Sequence, residues 1–372
     1  MAGLNDTIGK LTAARGIPSP PARAMRETAD FGANPGGLRM LSLVPDGLEQ
    51  DAPLVVVLHG CTQHAEAFAE AGGWLTLARR CGFAVLAPEQ SAANNPNLCF
   101  NWFQPGDTTR GKGEAASIRA MISALKKQHG LGEVYVTGLS AGGAMTAVML
   151  AAYPEVFSGG AVIAGLPYGV AGNVQEAMMA MHGQGGPDAA QLATLLRKAA
   201  PAPRRVPRLS IWHGGADMVV NPGNADRIAG QWAAAHGLST APDENHMLFG
   251  RTQAVWRGPD GEAAMELNLL PAMGHGSPLA TLGAEGLGMA APFMLETGIA
   301  STLEIARFWG IAPQVLAPSE VLTREEVAGL DAAPPPKAHP IGEGVMAAVS
   351  PHVSQGIQDT IAKALRAAGL LS

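Results

Sequence analysis

The chain has 372 residues, 47% of them hydrophobic and only 15% charged, with a formal net charge of −6. That composition supplies a large core and excludes a wholly disordered chain; without any Lys/Arg block it also argues against nucleic acid as the main partner, since phosphate binding needs clustered positive charge. No apolar run reaches the roughly 18 residues of a membrane span, and three cysteines, Cys61, Cys81 and Cys99, are too few for a disulfide scaffold and fit no zinc spacing.

The N-terminal MAGLNDTIGKLTAARG lacks the apolar core and small-residue cleavage site of a secretory signal. The expected compartment is therefore cytoplasmic, or extracellular if a leader has been removed. Residues 54–58, LVVVL, read as a strand buried on both faces. A helical segment over 68–80 follows, then a strand over 83–88 that ends at proline. Residues 115–129 have helical spacing and close at Gly130. A strand over 133–138 leads into a helix over 141–153, and strands over 161–165, 208–212 and 265–270 continue the series. Strands alternating with helices imply right-handed crossovers and a mostly parallel sheet covered on both sides.

Two segments break this rhythm. Residues 169–203 are mainly helical, carry Met178, Met179 and Met181, and are expected to cap the upper edge of the sheet. Residues 243–261 read as a hairpin or long loop. The run DAAPPPKAHP at 331–340 is a stiff extended linker, with an amphipathic stretch at 353–371 beyond it. The expected division is an N-terminal extension with a short helix over 1–41, a catalytic domain over 42–310 with its cap at about 169–203, and a C-terminal extension over 311–372. The two ends share an echo, DTIGK at 6–10 and DTIAK at 359–363; chance explains it more simply than a pair of surface-gripping helices.

Chemistry concentrates at Val136-Thr-Gly-Leu-Ser-Ala-Gly-Gly-Ala-Met145. Gly138-Leu-Ser-Ala-Gly142 fits G-x-S-x-G, in which a serine stands at the apex of a sharp strand-to-helix turn. Glycines on either side let neighbouring backbone pass closely, and the helix N-terminus supplies positive potential where an oxyanion forms. A serine nucleophile needs a base and an acid that orients it, in the chain order Ser, Asp or Glu, His. Asp217 lies in the loop after the strand ending Ile211-Trp212-His213. Asp188 in the cap, Asp226 on a helix, and Asp243 and Glu244 in the 243–261 segment are less well placed. His275, in the glycine-flanked loop Pro271-Ala-Met-Gly-His-Gly276, is the expected base. His236 and His246 precede the last strong strand, His339 and His352 lie beyond the domain, and His213 is expected to shape the Asp217 turn. A second oxyanion donor is expected in the loop after the first strand, Leu58-His-Gly-Cys-Thr-Gln63. There the amide of Cys61 would pair with that of Ala141. Cys61 as a nucleophile is the weaker alternative, because it lacks the strand–corner–helix setting.

Four motifs recur in order: His59-Gly-Cys-Thr-Gln63, Cys99-Phe-Asn-Trp-Phe103, Gly138-Leu-Ser-Ala-Gly-Gly143 and Ala164-Gly-Leu-Pro-Tyr-Gly169. Together they resemble the polyhydroxybutyrate depolymerase and esterase family of the α/β-hydrolase fold, which is itself similar to feruloyl and acetylxylan esterases, and the match runs over about residues 42–309. The resemblance implies Ser140, Asp217 and His275 as the triad, the Cys61 and Ala141 amides as the oxyanion hole, and a substrate cleft lined by residues 99–103. It implies a Cys61–Cys99 disulfide and a free Cys81. Val170 stands where the family often has cysteine, so a second bridge is not expected, and a reduced cytoplasmic form stays open.

His59, Asn101, Trp102 and Tyr168 are the candidates for binding substrate, with core packing the alternative for Trp102. The cap methionines could form an adaptable apolar lip or simply pack helices. No HExxH run is present and the histidines lack ligand spacing, so neither a metal nor another cofactor is expected. The expected function is a serine esterase acting on short-chain hydroxyalkanoate polyesters or oligomers. A carbohydrate esterase removing feruloyl or acetyl groups is the alternative enzyme, and a granule-binding protein without catalysis is the alternative of another class.

Overall fold

The computed structural model describes residues 24–201, 206–283 and 285–315. The linker, the amphipathic stretch and both halves of the terminal echo lie outside the described residues. A single sheet of ten strands dominates, ordered β1-β2-β4-β3-β5-β6-β7-β10-β9-β8. Its strands are β1 (Arg26–Thr28), β2 (Arg39–Leu43), β3 (Leu54–Leu58), β4 (Ala84–Glu89), β5 (Val134–Leu139), β6 (Gly159–Ile163), β7 (Arg208–Gly214), β8 (Glu244–Leu248), β9 (Arg251–Arg257) and β10 (Ala263–Leu270). The run β4-β3-β5-β6-β7-β10 is parallel throughout, and antiparallel strands finish both sides. A small parallel pair, β11 (Ser277–Leu279) and β12 (Met294–Glu296), stands apart.

Period-two alternation explains why the central strands read as unbroken apolar runs. Leu54, Val56 and Leu58 of β3 enter one core, and Val55 and Val57 enter the other. The helices are α1 (Ala65–Ala71), α2 (Trp74–Cys81), α3 (Pro105–Thr108), α4 (Gly113–His129), α5 (Ala141–Ala152), α6 (Val174–Met181), α7 (Ala189–Ala199), α8 (Gly223–His236) and α9 (Ser301–Trp309). The first core gathers α4, α5, α6, α7 and α8, and the second gathers α1, α2 and α9. Every residue of α5 is buried. None of the described helices is long and apolar enough to cross a membrane.

Three expectations change. The N-terminal extension does not reach residue 41, because β1 and β2 already belong to the main sheet; β1 is three exposed or half-buried residues, too short to show a period. The helix expected over 68–80 is two helices broken at Gly72-Gly73, where Gly73 has φ 80° and a Cβ would lie 2.8 Å from that of Leu287. Of the expected cap, α6 reaches the carboxyl edge of the sheet, where the Asn221 amide donates to Met181 O and Asn224 Nδ2 to Ala180 O. Both cap helices also pack into the first core, α6 through Ala177 and Ala180 and α7 through Leu192 and Leu196. The 243–261 segment is the β8–β9 hairpin.

Candidate active site

Parallel strands end at a common edge, and loops leaving it can bring distant residues together. The registers Leu139↔Ile163, Ile163↔Trp212 and Leu270↔Gly214 align the ends of β5, β6, β7 and β10 there. Ser140 follows β5 at once, with φ 58° and ψ −117°. An L-residue reaches positive φ only when its surroundings impose it. Here the Ser140 amide donates to Ile163 O at 2.9 Å, and the Ser140 carbonyl accepts from the Ala144 amide at 2.9 Å to start α5. Glycine on both sides is a steric requirement: a Cβ on Gly138 would sit 2.4 Å from Gly142 O, and one on Gly142 would sit 2.1 Å from Leu58 O. Among the described residues the Ser140 hydroxyl has no hydrogen-bond partner, so no such bond joins it to His275 here.

The loops after β7 and β10 are stitched to each other. The Gly215 amide donates to Leu270 O at 2.8 Å and the Ala216 amide to Met273 O at 3.0 Å. These bonds carry Asp217 to His275, whose Nδ1 lies 2.7 Å from Asp217 Oδ2. The other carboxylate oxygen accepts from the amides of Val219 at 2.8 Å and Val220 at 2.9 Å. Burial pushes the Asp217 carboxyl upward, but hydrogen bonds from His213, His275 and the Val220 amide outweigh it and hold the group well below the usual carboxylate range. Asp217 is thus an anion wherever the protein is folded near neutrality.

Facing the serine corner, a Cβ on Gly60 would lie 3.7 Å from that of Ser140. Gln63 closes this loop, accepting from the Gly60 amide at 2.8 Å and donating through Nε2 to Pro292 O at 3.2 Å. The next residue, Phe293, sets its ring 5.9 Å from that of His275. Gln63 thus ties the Gly60 loop beside Ser140 to the segment whose Phe293 faces His275. The amides of Cys61 and Ala141 donate to no group among the described residues. Cys61 and Cys99 form a disulfide, with Cα atoms 4.2 Å apart, and Cys81 is free and partly buried.

The four residues expected to bind substrate fare differently. His59 is fully buried: Nδ1 lies 2.8 Å from Gly60 O and Nε2 accepts from the Gln90 amide at 3.1 Å. With both ring nitrogens committed inside the fold it braces the loop, and the expectation that it touches substrate is corrected. Asn101 is likewise buried, its Nδ2 donating to Glu114 Oε1 at 2.8 Å and its Oδ1 accepting from Asn95 Nδ2 at 3.1 Å. Trp102 is 8% exposed and belongs to the first core, edge-on to Phe103. Tyr168 is half-buried, with its backbone clamped by Gln231 through bonds of 3.0 and 2.8 Å.

Sequence reasoning passed over Glu114 and Phe293. Glu114, in the first turn of α4, is buried and accepts from Gln90 Nε2, the Asn101 amide and Asn101 Nδ2. Burial pushes it up to about 8 against those three donors. Nothing in GEAAS marks such a role. Phe293 follows a proline in a loop whose path the sequence pattern does not show.

A parallel sheet flanked by helices, with a strained serine at a strand–helix corner and an Asp–His pair on the same edge, defines an α/β-hydrolase. Residues 39–247 match the family described as Esterase PHB depolymerase, and the chain belongs to that family. It is 40% identical over 301 residues to poly(3-hydroxyalkanoate) depolymerase C of Paucimonas lemoignei, covering 79% of this chain and 72% of the relative. Feruloyl esterase B of Talaromyces stipitatus is 30% identical over 251 residues, with coverage of 64% and 69%. Acetyl xylan esterase from Aspergillus awamori shares the fold, at a TM-score of 0.65 and 23% identity over 77% of this chain and 99% of that one. The protein is a carboxylic ester hydrolase.

Proposed function

We propose that this protein cleaves short-chain hydroxyalkanoate polyesters or their oligomers by acyl transfer through Ser140, His275 and Asp217. The observation that carries the reading is Ser140 itself: a serine held at positive φ at the start of a buried helix, its hydroxyl without a hydrogen-bond partner among the described residues. His275 takes the hydroxyl proton as the oxygen attacks the ester carbonyl. Asp217 holds the imidazole with its proton on Nδ1 and stabilises the imidazolium that forms. The amides of Cys61 and Ala141 receive the developing oxyanion, each worth on the order of 3 kcal/mol in the transition state. His275 then returns the proton to the departing alcohol, and water attacks the acyl-enzyme by the same route in reverse.

An apolar rim supports an aliphatic polyester over a sugar-borne ester. Met218, 89% exposed, and Val219 adjoin Asp217, and Phe293 adjoins His275. The depolymerase relative at 40% identity points the same way. The feruloyl esterase relatives keep a second reading, release of acyl groups from plant polysaccharide, as the comparison to run. Product analysis after incubation with hydroxybutyrate oligomers, methyl ferulate and acetylated xylan, with Ser140→Ala as control, tests both. Hydroxyacid release from the oligomers alone is expected; turnover of methyl ferulate with none of the oligomer would replace the first reading by the second.

A further inference from the structure

His213 is the last residue but one of β7 and lies four positions before Asp217. Both side chains are fully buried. Its Nε2 stands 2.9 Å from Val220 O and 3.2 Å from Asp217 Oδ2. Both oxygens are acceptors, so the ring must carry its proton on Nε2. Its Nδ1 is buried and has no hydrogen-bond partner among the described residues. His213 is therefore a donor aimed through Nε2 at Asp217.

The surroundings of Asp217 show what this donor does. Oδ1 is filled by the Val219 and Val220 amides, and Oδ2 is shared between His213 and His275. Val220 is bound twice over: its amide donates to Asp217 and its carbonyl accepts from His213. The buried ring thus stops the carboxylate from turning about its own axis and leaves one direction of Oδ2 for His275. His213 and His275 are the ionisable groups that meet Asp217 among the described residues.

We infer that His213 is a positioning residue for ester hydrolysis, fixing the Asp217 carboxylate so that it orients His275 and so that its charge is divided between two imidazoles. This rests on the triad proposed above. Without the His213 donor, more of the carboxylate's charge falls on His275, which stabilises the imidazolium and moves the acid limb of activity to higher pH.

The test compares wild type with His213→Leu, which removes the donor, and His213→Gln, whose amide nitrogen can occupy the Nε2 position. His213→Asn, whose amide is too short to reach, serves as a second donor-free variant if the leucine protein fails to fold. Profiles of kcat and kcat/KM against pH on 4-nitrophenyl butyrate are measured well below each melting temperature. The donor-free protein is expected to lose about tenfold or more in kcat with KM little changed, with its acid limb displaced upward, while His213→Gln recovers most of both. An undisplaced limb, or a glutamine variant as impaired as the donor-free one, would overturn the assignment and leave His213 as packing alone. Labelling of Ser140 by a fluorophosphonate in wild type is measured alongside. Its absence would sink the triad itself, a failure separate from that of His213.

Discussion

His275 Nδ1 and Asp217 Oδ2 meet at 2.7 Å although 58 residues separate them in the chain. The pair exists because β7 and β10 are parallel neighbours whose exit loops are bonded to each other. An imidazole so held has its Nδ1 occupied and Nε2 left over, the tautomer a general base requires. Asp217→Asn would present an amide that can donate to Nδ1 and favour the wrong tautomer. It should lower kcat by roughly 10³-fold or more while thermal stability changes little. Steady-state kinetics on 4-nitrophenyl butyrate checks this; a loss under tenfold would remove Asp217 from the mechanism.

Strain at Ser140 should be measurable without activity. A non-glycine residue in a sparsely populated region costs about 1–3 kcal/mol, and glycine repays about 0.5–1 kcal/mol of that through its looser unfolded chain. Ser140→Gly should therefore resist urea better than Ser140→Ala by about 1 kcal/mol, both being inactive. Equal midpoints for the two variants would mean the corner is relaxed.

The disulfide ties the loop after β3 to the segment that Glu114 braces. Replacing both cysteines with alanine keeps the Cys61 backbone amide and frees the loop. Stability should fall by roughly 2–4 kcal/mol in a denaturant titration. The role proposed for that amide, on charge that develops only in the transition state, predicts that kcat falls more than KM rises. An unchanged kcat would separate the bridge from catalysis.

Glu114 gives the pH dependence of stability a sign. Its folded value is pushed up to about 8 from an ordinary 4.5, so the fold favours the protonated acid. Between those values the unfolded chain binds fewer protons, and stability falls as pH rises, by at most about 1.4 kcal/mol per unit from this group. The contribution is complete below pH 4.5 and gone above pH 8. Glu266, also raised by burial, acts in the same direction and is retained in a Glu114 variant. Urea titrations at pH 5 and pH 8 should show a steeper loss for wild type than for Glu114→Gln. Parallel losses would mean that the three donors keep Glu114 ionised throughout.

Much of the fold was legible because the central strands are buried on both faces and announce themselves as apolar runs; β3 spans residues 54–58 as read. Ser140 was legible because only glycine fits at 138 and 142 when Leu58 and its neighbours pass so close. The partition of polar residues was not. His59 and Asn101 look like ligand groups in a motif, and only the three-dimensional path of Gln90, 31 residues from His59, supplies the partner that retires one of them. The small strands β11 and β12, three residues each, carry no run long enough to set a period.

The direct test of the serine's role is intact-protein and peptide mass spectrometry after exposure to a fluorophosphonate, with ester hydrolysis followed in the same samples. One adduct per chain, located on Ser140 and paralleled by loss of activity, is the expected result, with no adduct in Ser140→Ala. An adduct elsewhere that abolishes activity, or undiminished hydrolysis by Ser140→Ala, would contradict it.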